Sequence, residues 1–252
     1  MSEKKSKIVG TIFLIVLISC ILYLSFLTNV KANKGKFEMI ELTGNYLLSE
    51  TDYLGFTRLT ELSQYENVTL PIIKDRFLKH PYVRRTEVEF NGINKVKVNI
   101  DEKSIVAILI GDGEPYFITD KFQTIPIFPN TKFTELPIIS NPGVENNIKP
   151  LSILKNKEML QAFKIIEAAK LTSAKLYKSL EEINLKNGGE ILLKFSGVNA
   201  PVIFGRGSEA KKMVYLEALW NSLTDGATIS DYSKYIDLRF AGEVYIGMEV
   251  KV

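Results

Sequence analysis

The side chains that carry most enzyme chemistry are scarce in this chain. Among 252 residues there is one histidine, His80, and one cysteine, Cys20. A histidine-based triad would have to be built on His80, which stands just before Pro81 at a helix-to-strand junction. It reads as a loop histidine outside any such set. One cysteine allows neither a Cys-His metal set nor an intrachain disulfide. Acidic residues are scattered, with no spacing that places two carboxylates across a cleft; Glu181 and Glu182 read as solvated. Gly205-Arg206-Gly207-Ser208, ahead of a helix carrying Lys211 and Lys212, has some of the makings of a phosphate loop. It lacks the G-x-x-x-x-G-K-[ST] spacing and reads as a helix start capped by Ser208. The expectation is a non-enzyme with no catalytic residue, metal, cofactor or small-molecule substrate.

The backbone of the last strand is the better candidate for work. From Glu243 to Lys251 the residues alternate, with Val244, Ile246, Met248 and Val250 on one face and Glu243, Tyr245, Gly247, Glu249 and Lys251 on the other. A strand paired on one side only offers unpaired N–H and C=O groups to a partner's strand. Gly247 would admit a close backbone, and Phe240, Tyr245 and Met248 would supply apolar anchors. The same pattern also describes an ordinary sheet edge guarded by Glu249 and Lys251.

Several elements must place that strand. Between Ile8 and Val30 no residue is charged, while Lys4, Lys5 and Lys7 precede the run and Lys31, Lys34 and Lys36 follow it. A bilayer core needs about 20 apolar residues, so residues 8–30 read as a transmembrane helix. Val30-Lys31-Ala32 is a poor signal-peptidase site, and the run exceeds the about 7–15 residues of a signal h-region. Three lysines on each side leave the positive-inside count tied. The short tail, residues 1–7, is expected in the cytoplasm, with the folded portion translocated. Cys20, inside the span, reads as a packing residue.

Residues 1–36 hold six lysines and one glutamate, which leaves 26 basic and 28 acidic residues in the other 216. The pI of about 8.7 therefore comes from the flanks of the apolar run, beside anionic headgroups. A neutral remainder excludes a basic groove for nucleic acid.

Residues 37–103 read as one small unit. A strand at Met39, Ile40 and Leu42 ends at Gly44, and Ser49 with Asp52 signals a helix over 49–60. A second helix opens at Pro71 with Ile72, Ile73, Phe77 and Leu78 on one face, and stops near His80-Pro81. Alternating runs 83–90 and 95–102, joined by Asn91-Gly92-Ile93-Asn94, make a hairpin. Ile40, Leu42, Ile73, Phe77, Val88, Val96 and Val98 are its expected core. The order strand, helix, helix, strand, strand resembles a POTRA module.

Residues 104–252 read as a mainly antiparallel β domain with two helices. Strands are expected at 106–110, 116–118, 123–128, 182–186, 190–195, 202–204 and 235–240. Pro137, Pro142 and Pro150 break up a loop. Helices are expected over 156–171, with Leu160, Phe163, Ile166 and Leu171 on the buried face, and over 209–223. The fold class is α+β.

Five stretches carry a wider resemblance: His80-Pro81-Tyr82-Val83, Tyr116-Phe117-Ile118-Thr119-Asp120, Leu136-Pro137-Ile138-Ile139, Gly205 with Lys211-Lys212, and Tyr235-Ile236-Asp237-Leu238-Arg239-Phe240. In that order they resemble the FtsQ/DivIB family of bacterial cell-division proteins. The departures are a very short tail before the apolar run and a chain that ends soon after its last strand. The resemblance implies a membrane-anchored divisome scaffold at the division septum. Its C-terminal strand would receive FtsB/DivIC-like and FtsL-like division proteins by β-augmentation. Carried over residue by residue, the partner-binding set is Phe240, Ala241, Gly242, Val244, Tyr245, Ile246, Gly247 and Met248. A secretion or outer-membrane assembly component would show repeated POTRA units or a barrel. A membrane-anchored extracytoplasmic enzyme would need a convergent polar site. Neither pattern is present in the sequence.

Overall fold

The computed structural model describes residues 12–21, 23, 37–61, 68–92, 94–111, 114–132, 135–143, 148–224, 233–240 and 242–248. The first element, α1 (residues 12–21), is apolar and exposed along its length. The rest of the expected span, residues 8–11, 22 and 24–30, lies outside the described residues. Among the described residues no helix is long and apolar enough to cross a membrane.

Two sheets follow, in an α+β arrangement. In the first, β1 (Met39–Thr43) runs parallel to β3 (Lys95–Glu102), which pairs antiparallel with β2 (Val83–Phe90), in the order β1-β3-β2. Helices α2 (Glu50–Thr57) and α3 (Leu70–Leu78) connect β1 to β2. Ser49 caps α2 through a reciprocal box with Asp52, whose side chain and backbone both bond Ser49, and Arg58 ends the helix in left-handed backbone. Leu42, Ile73, Phe77, Val96, Val98 and Ile100 fill the core beneath this sheet. Of the α3 face expected from sequence, Ile72 and Leu78 are exposed and only Ile73 and Phe77 are buried. A nine-residue helix turns just two positions of that set onto the sheet.

The second sheet has nine strands in the order β12-β11-β10-β9-β8-β7-β4-β5-β6. They are β4 (Ile105–Ile110), β5 (Tyr116–Thr119), β6 (Thr124–Pro126), β7 (Ile138–Ser140), β8 (Leu180–Asn184), β9 (Leu192–Phe195), β10 (Val198–Ile203), β11 (Ser233–Asp237) and β12 (Tyr245–Met248). Five pairings are antiparallel, and β4·β7, β7·β8 and β10·β11 are parallel. The expected antiparallel character holds as a majority only. The β7·β8 and β10·β11 pairs are parallel because α4 (Lys157–Thr172) with α5 (Ala174–Ser179), and then α6 (Glu209–Thr224), serve as crossovers, while β4 reaches β7 through β5, β6 and the segment that follows them. Two elements here escape the sequence reading, β7 and α5, each too short for a periodic signal.

One face of the large sheet, with Ile139, Ile183, Leu193, Val202 and Ile236, packs against α4 and α6. On α4 the buried residues are Met159, Ala162, Ile165, Ile166, Ala168 and Ala169, while Leu171 is 85% exposed. The expected face is therefore rotated: Ile166 and partly buried Phe163 stay on it, while Leu160 and Leu171 give way to Met159, Ala162, Ile165 and Ala169. At the β4-β5-β6 end the opposite face brings Phe117 and Ile125 into the core of the first sheet. A hydrogen-bonded clasp joins the two regions: the Tyr82 hydroxyl and Thr131 Oγ1 lie 2.9 Å apart, Phe128 N donates to the Tyr82 hydroxyl at 3.0 Å, and Lys132 N donates to Leu47 O at 2.8 Å.

His80 lies inside this clasp rather than in an exposed loop. It is 2% exposed, ringed by Tyr53, Phe56, Tyr82 and Phe128, and its Nδ1 accepts from Tyr82 N at 3.1 Å. Burial, with a smaller push from the Lys103 ammonium, brings its pKa down to about 4, so it is neutral at pH 7.

Candidate functional site

β12 is the terminal strand of the nine-stranded sheet, and β11 is its only partner among the described residues. The pairing is antiparallel, with Tyr235 opposite Gly247, Ile236 opposite Ile246 and Asp237 opposite Tyr245. Val244 is partly buried against the large core, and half-buried Ile246 pairs with fully buried Ile236, so these two hold the strand down. Phe240, Tyr245 and Met248 stay 51%, 49% and 57% exposed. Beside Met248 the pairing is irregular, with a register shift between Ser233 and Tyr235 on β11.

Local contacts tie together the described residues that lead into β12. Arg239 closes back on Asp237, with Nε 3.0 Å from Oδ1 and Nη2 2.7 Å from Oδ2, while its own N–H donates to Oδ1. Those bonds hold the Asp237 carboxyl below the usual carboxylate range. The Arg239 guanidinium lies 5.9 Å from the Phe240 ring centroid, and Phe240 meets Tyr245 edge-on at 4.9 Å. Gly242 takes left-handed backbone (φ 87°) with open space around it. Ala241 lies outside the described residues, as do Glu249, Val250 and Lys251, the expected guards of the edge. Of the other named residues, Tyr245, Ile246, Gly247 and Met248 form the terminal strand, and Phe240, Gly242 and Val244 precede it.

The space expected over Gly247 is already taken. A Cβ there would lie 2.5 Å from the Tyr235 ring, so that ring covers the glycine from the neighbouring strand and no partner backbone fits on that face.

The Gly205-Arg206-Gly207 loop supports this segment from below. Lys212 is buried, and its ammonium donates to Phe204 O at 2.7 Å, holding the loop from the first turns of α6. Burial lowers its pKa, with Glu209, Glu190 and Asp237 acting in the opposite direction. Gly205 has φ 64°, and a Cβ there would meet Arg239 Cγ at 2.8 Å. The glycine thus gives the Arg239 stem its path to Asp237. Ser208 is left-handed (φ 58°), outside the extended geometry of a capping residue, and the Glu209 carboxylate accepts the Gly207 N–H instead. No group of three or more metal-ligating side chains occurs among the described residues.

No protein-family model matches the chain. Along 97% of its length it is similar to the "Cell division protein FtsQ" of Geotalea daltonii, 23% identical over 248 residues and 87% of that protein. It is also 23% identical over 126 residues, half of this chain, to the "Cell division protein DivIB" of Enterococcus faecalis strain 62, and it covers 34% of that relative's length. The class is thus that of the bacterial cell-division proteins. Within it, the similarity is to proteins of the FtsQ/DivIB family.

Proposed function

We propose that the chain is a non-enzymatic divisome scaffold, tethered to the cytoplasmic membrane at the septum by residues 8–30, with residues 37–252 outside the cytoplasm. In this reading residues 37–103 are a POTRA-like domain beside the bilayer and residues 104–252 a partner-binding β domain. The partners are FtsB/DivIC-like and FtsL-like proteins, one of which adds a strand to β12 and thereby helps assemble the septal cell-wall machinery. The observation that carries this is the position of β12: a terminal strand, anchored by Val244 and Ile246, whose outer margin presents Phe240, Tyr245 and Met248. Unpaired backbone supplies affinity in such an addition, and the exposed aromatics supply anchors.

The test is partner affinity of the full chain carrying Phe240→Ala or Tyr245→Lys. Each is expected to weaken binding by about 30-fold, the scale of an interface hot spot, with little change in unfolding midpoint. Unchanged affinity in a folded variant removes this edge as the binding site.

A further inference from the structure

The first sheet contains a gap where a strand stops short. β1 stays beside β3 only as far as the Thr43/Asn99 pair, whereas β2 follows β3 on to the Val83/Glu102 pair. Gly44 turns the chain away at that point: its φ is 83°, and a Cβ on it would collide with Ile100 O. The last residues of β3, Asp101 and Glu102, therefore have a strand on one side only.

Alternation along β3 shows which backbone groups face the gap. Lys103 N donates to Tyr82 O and Lys95 O accepts from Asn91 N, so the odd-numbered positions face β2. Val98 O accepts from Thr43 Oγ1, so the even-numbered positions face β1. Glu102 thus turns both its N–H and its C=O to the vacated side. The loop after β1 leaves them alone: Tyr46 N and Leu47 N donate to the Glu102 carboxylate instead, at 3.2 and 3.0 Å, and the Tyr53 hydroxyl donates to the same group. Among the described residues no backbone group of that loop bonds the Glu102 N–H or C=O. A cavity of about 440 Å³ opens here, lined by Tyr46, Leu47, Ile105 and residues 99–103, and its size falls within that of small-ligand sites. Asp101 is paired with Arg84 at 2.7 Å, and Glu102 and Lys103 offset one another, so the lining draws in no strongly charged ligand.

We propose that this cavity binds a short, uncharged, extended peptide segment of another protein, antiparallel to β3, one residue of which exchanges two backbone hydrogen bonds with Glu102. A donor and an acceptor on one strand residue are matched by an amide chain, and an antiparallel pair uses Glu102 alone. A parallel segment would also call on Ile100 O, which Gly44 covers. Tyr46, 78% exposed at the rim, offers its ring to a side chain of the bound segment. The three donors on the Glu102 carboxylate fix the wall of the cavity before anything binds.

The test uses the isotope-labelled full chain in phospholipid nanodiscs and reads the Glu102 amide by nuclear magnetic resonance. The probe is acetyl-Ala-Ala-Ala-amide, and the control is the same peptide methylated on every backbone nitrogen, which removes its donors. A saturable movement of the Glu102 resonance is expected. Its hydrogen exchange should slow about tenfold when the peptide stands about tenfold above its dissociation constant. The Lys103 amide, already bonded to Tyr82 O, should keep its exchange rate. Binding of the same peptide at β12 leaves Glu102 unmoved, so this readout is separate from the test of that margin. No response at Glu102, or an equal response to the methylated peptide, overturns the proposal. So does a Glu102 amide protected before any peptide is added, because the chain itself then fills the gap.

Discussion

The two ends of the nine-stranded sheet solve the problem of an unpaired strand in opposite ways. At the β6 end the chain returns to seal its own margin: Thr124 N donates to Ser152 O at 2.9 Å, Leu151 N to Thr124 O at 2.7 Å and Leu154 N to Phe122 O at 2.8 Å. The first sheet also covers one face there through Phe117 and Ile125, and Phe122 stacks on Phe163 of α4 at 4.2 Å. At the β12 end α6 backs one face, and among the described residues no strand lies beyond β12. Exposed edges invite pairing with other chains, so of the two ends of this sheet only the β12 margin, among the described residues, is left without such a cover.

Four measurements break or sharpen this contrast. The largest effect is expected from Trp220→Ala. Trp220 meets the Phe195 ring edge-on at 5.4 Å beneath the strands that carry the open end. Its loss should cost about 3–5 kcal/mol in urea unfolding and abolish partner binding as well, unlike Tyr245→Lys. If binding survives at full affinity, the open end does not depend on its helical backing.

Acid should act on the two ends in different windows. His80, in the aromatic cluster beside Phe128, has a folded pKa of about 4 against an ordinary 6.5. Its contribution is complete above pH 6.5 and is lost as pH falls toward 4, because the unfolded chain takes up the proton first. The loss is on the order of 2–3 kcal/mol, and His80→Gln should flatten that limb of the stability profile. Asp237 has a lowered pKa, so the Asp237–Arg239 clamp at the β12 end should release only below the ordinary carboxylate value of 3.8. Hydrogen exchange that opens both ends in one pH window refutes the separation.

Thr124→Val tests the seal. The hydroxyl bonds Lys149 O at 2.7 Å and Ser152 O at 3.1 Å inside a fully buried site. Its removal is expected to cost about 1–2 kcal/mol and to raise concentration-dependent self-association as the second margin loosens. Smallest is Gly247→Ala, which must push aside the half-exposed Tyr235 ring. A cost below about 1 kcal/mol in stability is expected, with a measurable loss of partner affinity from the disturbed margin.

The chain revealed its local structure readily. Strands β2 and β3 fall where residues 83–90 and 95–102 alternate, and the Ser49/Asp52 spacing marks the start of α2. These signals need only neighbouring residues. The α4 face is not legible locally, because Leu160 and Leu171 match helical spacing as well as Met159 and Ile165 do, and only the sheet surface chooses between them. The candidate site divides in the same way. Alternation after Glu243 marks the strand, but nothing local shows that Tyr235 would cover Gly247 or that Gly205 would make room for Arg239. The Gly205–Arg239 contact joins segments brought together by a parallel crossover of more than 30 residues, and the Tyr235–Gly247 contact depends on the register of the antiparallel β11·β12 pair.

By itself the sequence determined the apolar run, the scarcity of catalytic side chains, the α+β alternation and an amphipathic last strand, since each follows from composition or short-range period. Tertiary structure alone decided that this strand ends the sheet while β6 is covered, and that His80 and Lys212 are buried. Sheet order and burial depend on which distant segments exclude water together, and no single stretch of chain encodes that.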